Sequence, residues 1–272
     1  MGATGGGDRT GSRKRRAGRS VAAVAVAVCV AVGVSGSGAA YGVTSARGAR
    51  EAAFKVDNGK GGERNKAPGS VDCRKAKCIA LTFDSAPSAH TAALLRILER
   101  KKVRATFFLL GHRHVDAYPG LVKRMAADGH VLANHTWTHP RLPSLTPAQI
   151  RAQLTMLNDA VQKLTGIRPT LMRPPQGRTD QKVAQVCREL GLAQVLWSDS
   201  ASDYATTDTP LIRQRILSGA SRGGIVLLHD LYQGTVPAVP GIIDGLRRQG
   251  YTFVTVPELL APAVPQPGAV YR

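Results

Sequence analysis

The sequence is poor in cysteine, in aromatic residues and in acids, and each shortage narrows the functions that it can have. Four of its 272 residues are Cys, and 5% are Phe, Trp or Tyr. It has no zinc-finger spacing, no aromatic-rich RNA motif and no basic helix with base-reading residues, so we expect no nucleic-acid partner. The 18 acids stand against 37 Lys and Arg residues, which gives a formal net charge of +19. Such a surface attracts polyanions, and an anionic cell wall or membrane surface fits best.

A hydrophobic run of ordinary transmembrane length is also missing. The apolar stretch Val21–Val34 has about 14 residues, whereas a membrane-spanning helix needs roughly 20. It follows the basic run Arg13–Arg16 and precedes the small residues Ser35–Ala40, which is the order of a secretory signal peptide. We predict that residues 1–40 are a signal peptide, with an uncleaved membrane anchor as the alternative. The protein is then secreted or held in the cell envelope, and it meets the membrane only through this segment.

The four cysteines separate by position. Cys29 lies within the predicted signal segment, and Cys187 falls in a helical pattern as a buried thiol. Cys73 and Cys78 enclose a short loop before the first predicted strand, and in an exported protein such a pair predicts a disulfide. A zinc pair is the competing interpretation, but no second Cys/His pair lies nearby in the sequence.

Beyond residue 40 the chain divides by composition into three parts. Residues 41–72 are rich in Gly, Lys and Arg without periodicity, which indicates a flexible linker. Residues 73–260 alternate short apolar runs with helical patterns, and residues 261–272 form a Pro-rich tail. The predicted strands are 79–83, 105–110, 131–133, 171–172, 194–197, 225–228 and 252–254, and the predicted helices are 90–101, 118–127, 147–164, 181–190, 211–220 and 236–249.

This alternation predicts an α/β fold with a parallel sheet in a single domain. About seven repeats favour a closed or nearly closed (β/α) barrel, with an open doubly wound sheet as the alternative. Active sites of such barrels lie at the C-terminal ends of the strands, and five predicted strands lead into Asp, His or Arg there. These residues are Asp84, His135, His139, Arg173, Asp199, Asp203, His229 and Asp230. Their convergence on one rim predicts an enzyme.

The stretch His135–His139 carries two imidazoles four residues apart, directly after a predicted strand. On a helical turn this spacing places both rings on one side. Neutral imidazole is the commonest ligand for a divalent transition metal, but a catalytic site needs a third protein group. A structural alternative stays open, in which one ring packs on Trp137 and the other caps a turn.

Together these motifs resemble those of the polysaccharide deacetylase family, the carbohydrate esterases that share the NodB homology domain. The resemblance covers residues 73–260, and its motifs occur in the family's order. The matching segments are Leu81–Ser88 (usually TFDDGPS), Ala105–Gly111, His135–His139, Arg173–Gly177 (usually RPPYG), Trp197–Tyr204 and Leu227–His229. The chain is identified as a member of this family on that set of motifs.

The resemblance implies a distorted (β/α)7-type barrel and a hydrolytic mechanism. Asp84 would be the general base for a water molecule, and Arg173 would pair with its carboxylate. His229 would be the general acid to the leaving amine. The family's metal site would place a divalent cation, commonly Zn²⁺, on His135 and His139 together with an Asp.

The same resemblance implies further roles around the substrate. Asp203 would tune the general acid, and the backbone N–H of Gln176, next to Pro174, would stabilise the oxyanion. Leu227 would line the pocket for the acetyl methyl group, and Tyr204 stands where the family has Trp. Family substrates are N-acetylated glycans such as chitin oligomers and peptidoglycan and, in some members, O-acetylated xylan. An acetylated glycan is therefore the expected substrate.

The chain departs from the family pattern at the metal site. Ser85 occupies the position of the metal-ligand Asp, and a neutral hydroxyl is a far poorer ligand than a carboxylate. Ala86 replaces a Gly, which would strain a turn that needs positive φ. Gln176, Ser200 and Tyr204 replace the usual Tyr, Asp and Trp.

Three interpretations follow from these departures. The protein is an active deacetylase in which Asp84 or a water completes a weak metal shell, an impaired homologue that still binds glycan, or a hydrolase with a shifted substrate. We expect weaker metal binding than at a site of two His and an Asp. Asp199 could replace the missing Asp of the fourth motif, one residue out of register. His112 and His114 are expected in a surface loop.

Overall fold

A computed structural model of the protein describes residues 42–57 and 71–272, in which helices surround one parallel sheet. The strands are β1 (Val43–Thr44), β2 (Lys77–Ala86), β3 (Thr106–Leu109), β4 (Val131–Asn134), β5 (Leu171–Met172), β6 (Ala193–Val195), β7 (Asp199–Ser200), β8 (Gly224–His229), β9 (Tyr251–Phe253) and β10 (Val270–Tyr271). The helices are α1 (Ala46–Asp57), α2 (Thr91–Arg100), α3 (Pro119–Ala127), α4 (Pro147–Thr165), α5 (Gln181–Glu189), α6 (Thr209–Gly219), α7 (Thr235–Arg248) and α8 (Val256–Leu260).

The sheet curls into an open barrel. Its strand order is β1-β10-β6-β5-β4-β3-β2-β8-β7, and β9 pairs with the start of β2. The described pairings are parallel throughout. The predicted α/β fold, a distorted (β/α)7-type barrel in one domain, is confirmed, and the predicted strands and helices between residues 79 and 254 recur with ends shifted by only a few residues.

Local sequence signals explain where the helices begin and end. Thr146 accepts a hydrogen bond from the backbone N–H of Gln149, whose side chain reaches back to form a capping box at the start of α4. Gly166 ends that helix in the left-handed region with φ 74°, where glycine carries no steric penalty. A cap of this kind contributes about 1 kcal/mol.

Side chains on the central strand β2 alternate between two packing environments. Ile79, Leu81 and Phe83 join the core that lies under the outer helices. Cys78 and Ala80 join a second cluster inside the barrel. Because successive side chains of a strand point to opposite faces, the interior face continues upward to Thr82 and Asp84.

The predicted flexible linker contains ordered structure. Strand β1 pairs with β10, and α1 buries Ala46 and Ala49. Arg50 is also buried and donates a hydrogen bond to a backbone carbonyl of α8. The prediction for residues 41–72 is therefore wrong where β1 and α1 lie. Two methyl groups and one Arg side chain supply the buried surface, and these leave no apolar periodicity in the sequence. Residues 58–70 lie outside the described residues.

The predicted Pro-rich tail also belongs to the sheet. Strand β10 lies between β1 and β6, and both of its residues, Val270 and Tyr271, are buried. The prediction of a separate tail is wrong because a strand of two residues after several prolines gives no sequence pattern. The predicted signal peptide or anchor, residues 1–40, lies outside the described residues. Within the described part of the chain, no helix is both long and apolar enough to cross a membrane.

The three cysteines in the described part of the chain adopt the predicted states, and Cys29 lies outside the described residues. Cys73 and Cys78 form a disulfide just before and at the start of β2. Cys187 is a free thiol on the buried face of α5, and burial raises its pKa to about 12. An inert, protonated thiol in the core is therefore structural.

Candidate active site

The interior face of the barrel ends in polar side chains at its C-terminal rim. Asp84 on β2 and His229 on β8 are direct neighbours in the parallel register. His135 and Arg173 follow interior residues of β4 and β5 by two positions, so the same alternation directs them inward. These four residues, which the sequence placed on separate strand ends, are thus brought to one rim.

Arg173 links this interior face from a fully buried position. Its Nη1 donates to Asp84 Oδ1 at 2.6 Å and to Thr82 Oγ1 at 2.8 Å, and its Nε and Nη2 each donate to a carbonyl at the end of β6 at 3.0 Å. Burial lowers the pKa of the guanidinium, while the charge and hydrogen bond of Asp84 act in the opposite direction. The other carboxylate oxygen, Asp84 Oδ2, lies 3.7 Å from His135 Nε2.

A second carboxylate orients His229. Asp203 Oδ1 lies 2.8 Å from His229 Nδ1, and Asp203 Oδ2 accepts the His229 backbone N–H at 2.7 Å and the Thr235 hydroxyl at 2.8 Å. Burial lowers the pKa of His229, but the hydrogen bond to Asp203 and the charges of Asp84 and Asp203 outweigh it, so the pKa is raised. With Nδ1 engaged, Nε2 is the atom available to a substrate.

The segment from His135 to His139 is not a helical turn. Thr136 and His139 have left-handed φ values of 73° and 61°, so the segment forms a loop. Gln153 on α4 holds this loop, because its Oε1 accepts the backbone N–H of Trp137 at 3.1 Å and of Thr138 at 2.9 Å. The predicted helical geometry is wrong. The two imidazoles nevertheless meet, with ring centroids 4.9 Å apart.

Burial favours the neutral form of both imidazoles of this loop. Burial lowers the pKa of His135 to about 4, and burial also lowers the pKa of His139. His135 Nδ1 lies 2.8 Å from the carbonyl oxygen of Arg173, so an N–H at Nδ1 donates there and leaves the Nε2 lone pair on the side of Asp84. A neutral ring with a fixed tautomer suits a metal ligand.

Ser85 forms a bulge at the end of β2. The register with β3 shifts between Asp84 and Ala86, and Ser85 itself adopts φ 58°. The residue with a positive φ is therefore Ser85 and not Ala86. The backbone strain that was expected at Ala86 falls on Ser85 instead. Holding a serine in this region costs on the order of 1–2 kcal/mol, which the surrounding sheet must offset.

The residues beside this bulge do not complete a metal site. His135 and His139 supply two nitrogen ligands, but Ser85 offers a hydroxyl where a charged third ligand would stand. Asp84 is nearby but is bound by Arg173. In residues 42–57 and 71–272, no three His, Cys, Asp or Glu side chains are arranged to hold a metal ion. This donor set does not fit a tightly bound divalent cation.

The predicted substrate residues surround the same rim. In the turn Pro174–Gly177, Gln176 adopts a left-handed φ of 59°, and a Cβ on the final glycine would come within 3.0 Å of the Trp197 ring. Leu227 faces the interior two residues before the general-acid candidate. Tyr204 is 61% exposed, and its ring centroid lies 6.3 Å from that of His229. The turn, the apolar side chain and the aromatic ring therefore belong to one site.

Comparison with known proteins shows which family this chain belongs to. The family model described as polysaccharide deacetylase matches residues 72–195. The peptidoglycan-N-acetylglucosamine deacetylase of Listeria monocytogenes is 38% identical over 195 residues, 71% of this chain, and the chain covers only 41% of that relative's length. The structure of the peptidoglycan deacetylase PdaC from Bacillus subtilis has a TM-score of 0.65 and 36% identity, covering 70% of this chain and 92% of that chain. The chain belongs to the polysaccharide deacetylase family.

A second similar structure bears on the departures from the family pattern. It is a mutant of a family pseudoenzyme with restored enzymatic activity, which is 29% identical with a TM-score of 0.65 and covers 68% of each chain. The polysaccharide deacetylase family thus includes proteins without activity as well as enzymes.

Two residues lie elsewhere than the sequence indicated. Asp199 pairs in register with Val226 of the outer core and packs against α6, so it does not replace a site carboxylate. Burial raises its pKa to about 6. His114 was expected on the surface but is half-buried, and its Nδ1 lies 2.9 Å from the carbonyl oxygen of Pro87, close behind the Ser85 bulge.

Two residues that the sequence analysis did not single out, Thr235 and Tyr232, support the rim together with Asp230. Thr235 donates to the carboxylate that orients the general-acid candidate. Tyr232 places its ring centroid 5.4 Å from that of His229. Asp230 is buried and accepts a hydrogen bond from the Thr91 hydroxyl at the start of α2. The hydrogen bonds of Thr235 and Asp230 join segments far apart in sequence, whereas Tyr232 lies only three residues beyond His229.

Proposed function

We propose that the domain hydrolyses N-acetyl groups of a glycan that contains N-acetylglucosamine, such as peptidoglycan or chitin oligomers. The observation that carries the proposal is the pair Asp84 and His229, which are neighbours in register. Each is held by a buried partner, Arg173 or Asp203. A base and an acid on one rim are what amide hydrolysis requires. The peptidoglycan deacetylases of Listeria and Bacillus among the relatives support this substrate class.

In the proposed reaction, Asp84 Oδ2 takes a proton from a water whose oxygen attacks the acetyl carbonyl carbon. The backbone N–H of Gln176 stabilises the oxyanion as the tetrahedral intermediate forms. His229 then gives the proton on its Nε2 to the amide nitrogen while the C–N bond breaks. The products are acetate and a free amine on the sugar, and Asp203 stabilises the imidazolium before the proton leaves.

We infer that any divalent metal, with Zn²⁺ the usual one in the family, binds weakly to His135 and His139. The proposed reaction uses only protein groups and a water molecule, because Ser85 replaces the third charged ligand. Isothermal titration should show Zn²⁺ affinity at least tenfold below that of the Ser85→Asp variant, since the carboxylate adds charge to the ligand set. His135→Ala is the control for non-specific binding. Nanomolar affinity in the unmodified protein would overturn this inference.

A second function is favoured by the same serine. A homologue without the metal-ligand carboxylate could keep the glycan groove and act by binding alone. In that case peptidoglycan binding by the unmodified protein and by Asp84→Asn should be equal, with no acetate released by either. The similarity to a pseudoenzyme whose mutant regained activity supports keeping this alternative.

Acetate release separates the two functions. N-acetylglucosamine oligomers and peptidoglycan are incubated with the unmodified protein, Ser85→Asp, His135→Ala and Asp84→Asn, with Zn²⁺ or Co²⁺ present. Release by the unmodified protein that is lost in Asp84→Asn supports the deacetylase. Release by Ser85→Asp alone supports the binding protein and refutes native deacetylase activity.

We also propose that the protein is exported and acts at an anionic cell wall. The support is the signal-like order of residues 1–40 and the net charge of +19. A reporter fused behind residue 45 should appear outside the cytoplasm, and deletion of Val21–Val34 should retain it inside. Binding of the protein to isolated walls should weaken as salt is raised. Retention of the reporter with the segment intact would refute export.

A further inference from the structure

Two tyrosine rings lie against the imidazole of the proposed general acid. The ring centroid of Tyr204 is 6.3 Å from that of His229 with an interplanar angle of 89°, and that of Tyr232 is 5.4 Å away at 69°. Tyr204 occupies the family's Trp position, whereas Tyr232 lies outside every motif, in the turn after β8. We propose that Tyr232 and Tyr204 form an aromatic platform that binds a pyranose ring of the glycan beside His229. This inference rests on the proposed glycan substrate.

The exposure of the two rings agrees with a ligand-binding surface. Tyr204 is 61% exposed, and Tyr232 is only half-buried. A single exposed aromatic ring is ordinary on a protein surface. Two such rings beside a reactive imidazole in a strand-end rim are not explained by core packing, because neither is enclosed.

The turn that carries Tyr232 is fixed by the same carboxylate that orients His229. Thr235 donates its hydroxyl to Asp203 Oδ2 at 2.8 Å, and its backbone N–H donates to the carbonyl of Tyr232 at 3.2 Å. Asp203 thus fixes the acid and the platform together. A site held in this way loses little conformational freedom when a ligand binds.

A tyrosine side chain can bind a sugar ring through its aromatic face and through its hydroxyl. A pyranose presents a flat patch of C–H groups and a rim of hydroxyls, and a phenol offers a π face and one O–H. Burial, and then the negative charge of Asp203, raise the pKa of Tyr232, so its hydroxyl remains a donor at neutral pH. A tyrosine has two side-chain torsions, so ordering it costs little entropy.

The chain contains its own fluorescent reporters for a test. The chain has two Trp residues. Trp137 lies in the loop His135–His139, and Trp197 lies against the turn Pro174–Gly177. Tetra-N-acetylchitotetraose is titrated into the full chain, with Asp84→Asn in every protein to prevent turnover, and tryptophan fluorescence and isothermal titration report Kd. The variants are Tyr232→Ala, Tyr232→Phe and Tyr204→Ala, with thermal melts to show that each is folded.

Ile167→Ala serves as the matched control, because Ile167 is exposed in the loop between α4 and β5, at the opposite end of the barrel. Tyr232→Ala and Tyr204→Ala should each raise Kd by about 3- to 10-fold, which is the range for loss of one aromatic contact. Tyr232→Phe keeps the ring and loses only the hydroxyl, so it should raise Kd by less than Tyr232→Ala does, and the control should stay within about twofold of the unmodified protein.

The outcomes distinguish the platform from the proposed function. An unchanged Kd in folded Tyr232→Ala, or equal losses in Tyr232→Phe and Tyr232→Ala, would overturn a platform based on ring stacking. If the unmodified protein binds the oligomer in either of these cases, the proposed glycan substrate stands and only the platform fails. If the unmodified protein binds neither this oligomer nor peptidoglycan fragments, both proposals fail.

Discussion

Replacing Arg173 with methionine should destabilise the domain strongly. Methionine fills similar space but removes the charge and all the hydrogen bonds of the guanidinium. The Asp84 carboxylate, with 4% of its side chain exposed, then loses the cation 2.6 Å from Oδ1. Two carbonyls at the end of β6 lose their side-chain donor as well. A buried charge without a partner is the most costly of these changes.

The magnitude follows from known buried pairs. Removing one partner of a buried ion pair costs about 3–5 kcal/mol. For a domain of this size each kcal/mol lowers Tm by about 2–4 °C, so a loss of roughly 6–20 °C is expected. Adding Asp84→Asn to the Arg173→Met variant removes the unpaired charge. The double variant should therefore regain about 1–3 kcal/mol relative to Arg173→Met alone.

Urea denaturation followed by circular dichroism measures these differences. The four proteins of the cycle are the unmodified chain, Arg173→Met, Asp84→Asn and the double variant. Arg96→Met is a matched control, because Arg96 is exposed on α2, and it should stay within about 0.5 kcal/mol of the unmodified protein. A destabilisation below about 1 kcal/mol for Arg173→Met, or no recovery in the double variant, would refute the reasoning.

Three further predictions concern the acid, the disulfide and the N-terminal elements. Asp203→Asn removes the charge and hydrogen bond that raise the pKa of His229, so the alkaline limb of a kcat–pH profile should move to lower pH; an unmoved limb would exclude His229 as the acid. Reduction of the Cys73–Cys78 disulfide opens a short loop and should cost about 2 kcal/mol, or roughly 4–8 °C in Tm, while the Cys73→Ser/Cys78→Ser double variant should not respond to reductant. A chain starting at Val71 loses β1, α1 and the Arg50 contact and should melt at least about 5 °C below a chain starting at Gly42; equal melting temperatures would show that these elements add no stability.

The sequence could predict the barrel and much of its rim because strand periodicity carries that information. In a strand such as Ile79 to Phe83, successive side chains point alternately to the helix-covered face and to the barrel interior. A polar residue that continues the interior set, such as Asp84, must then point into the rim. The parallel register makes Asp84 and His229 neighbours, which no linear motif states.

Other features escaped prediction because they depend on contacts between distant segments. The loop at His135–His139 is held by Gln153, and its left-handed residues are not glycines, so helical spacing was misleading. Asp199 is one residue out of step with the side chains that point into the barrel. Because side chains alternate along a strand, its side chain lies on the outer face. The strands β1 and β10 are two residues long and take their stability from each other and from β6.

At the metal site that the family resemblance implies, this chain lacks the carboxylate ligand, which Ser85 replaces. Its left-handed bulge already exists, and Asp tolerates that region better than most residues, so Ser85→Asp adds little strain. The imidazoles, the Arg173–Asp84 pair and the His229–Asp203 pair are already held by buried hydrogen bonds. Any loss of activity caused by the serine is therefore local to the metal ligands. One substitution that supplies a carboxylate should be enough to reverse it, with the rest of the rim unchanged.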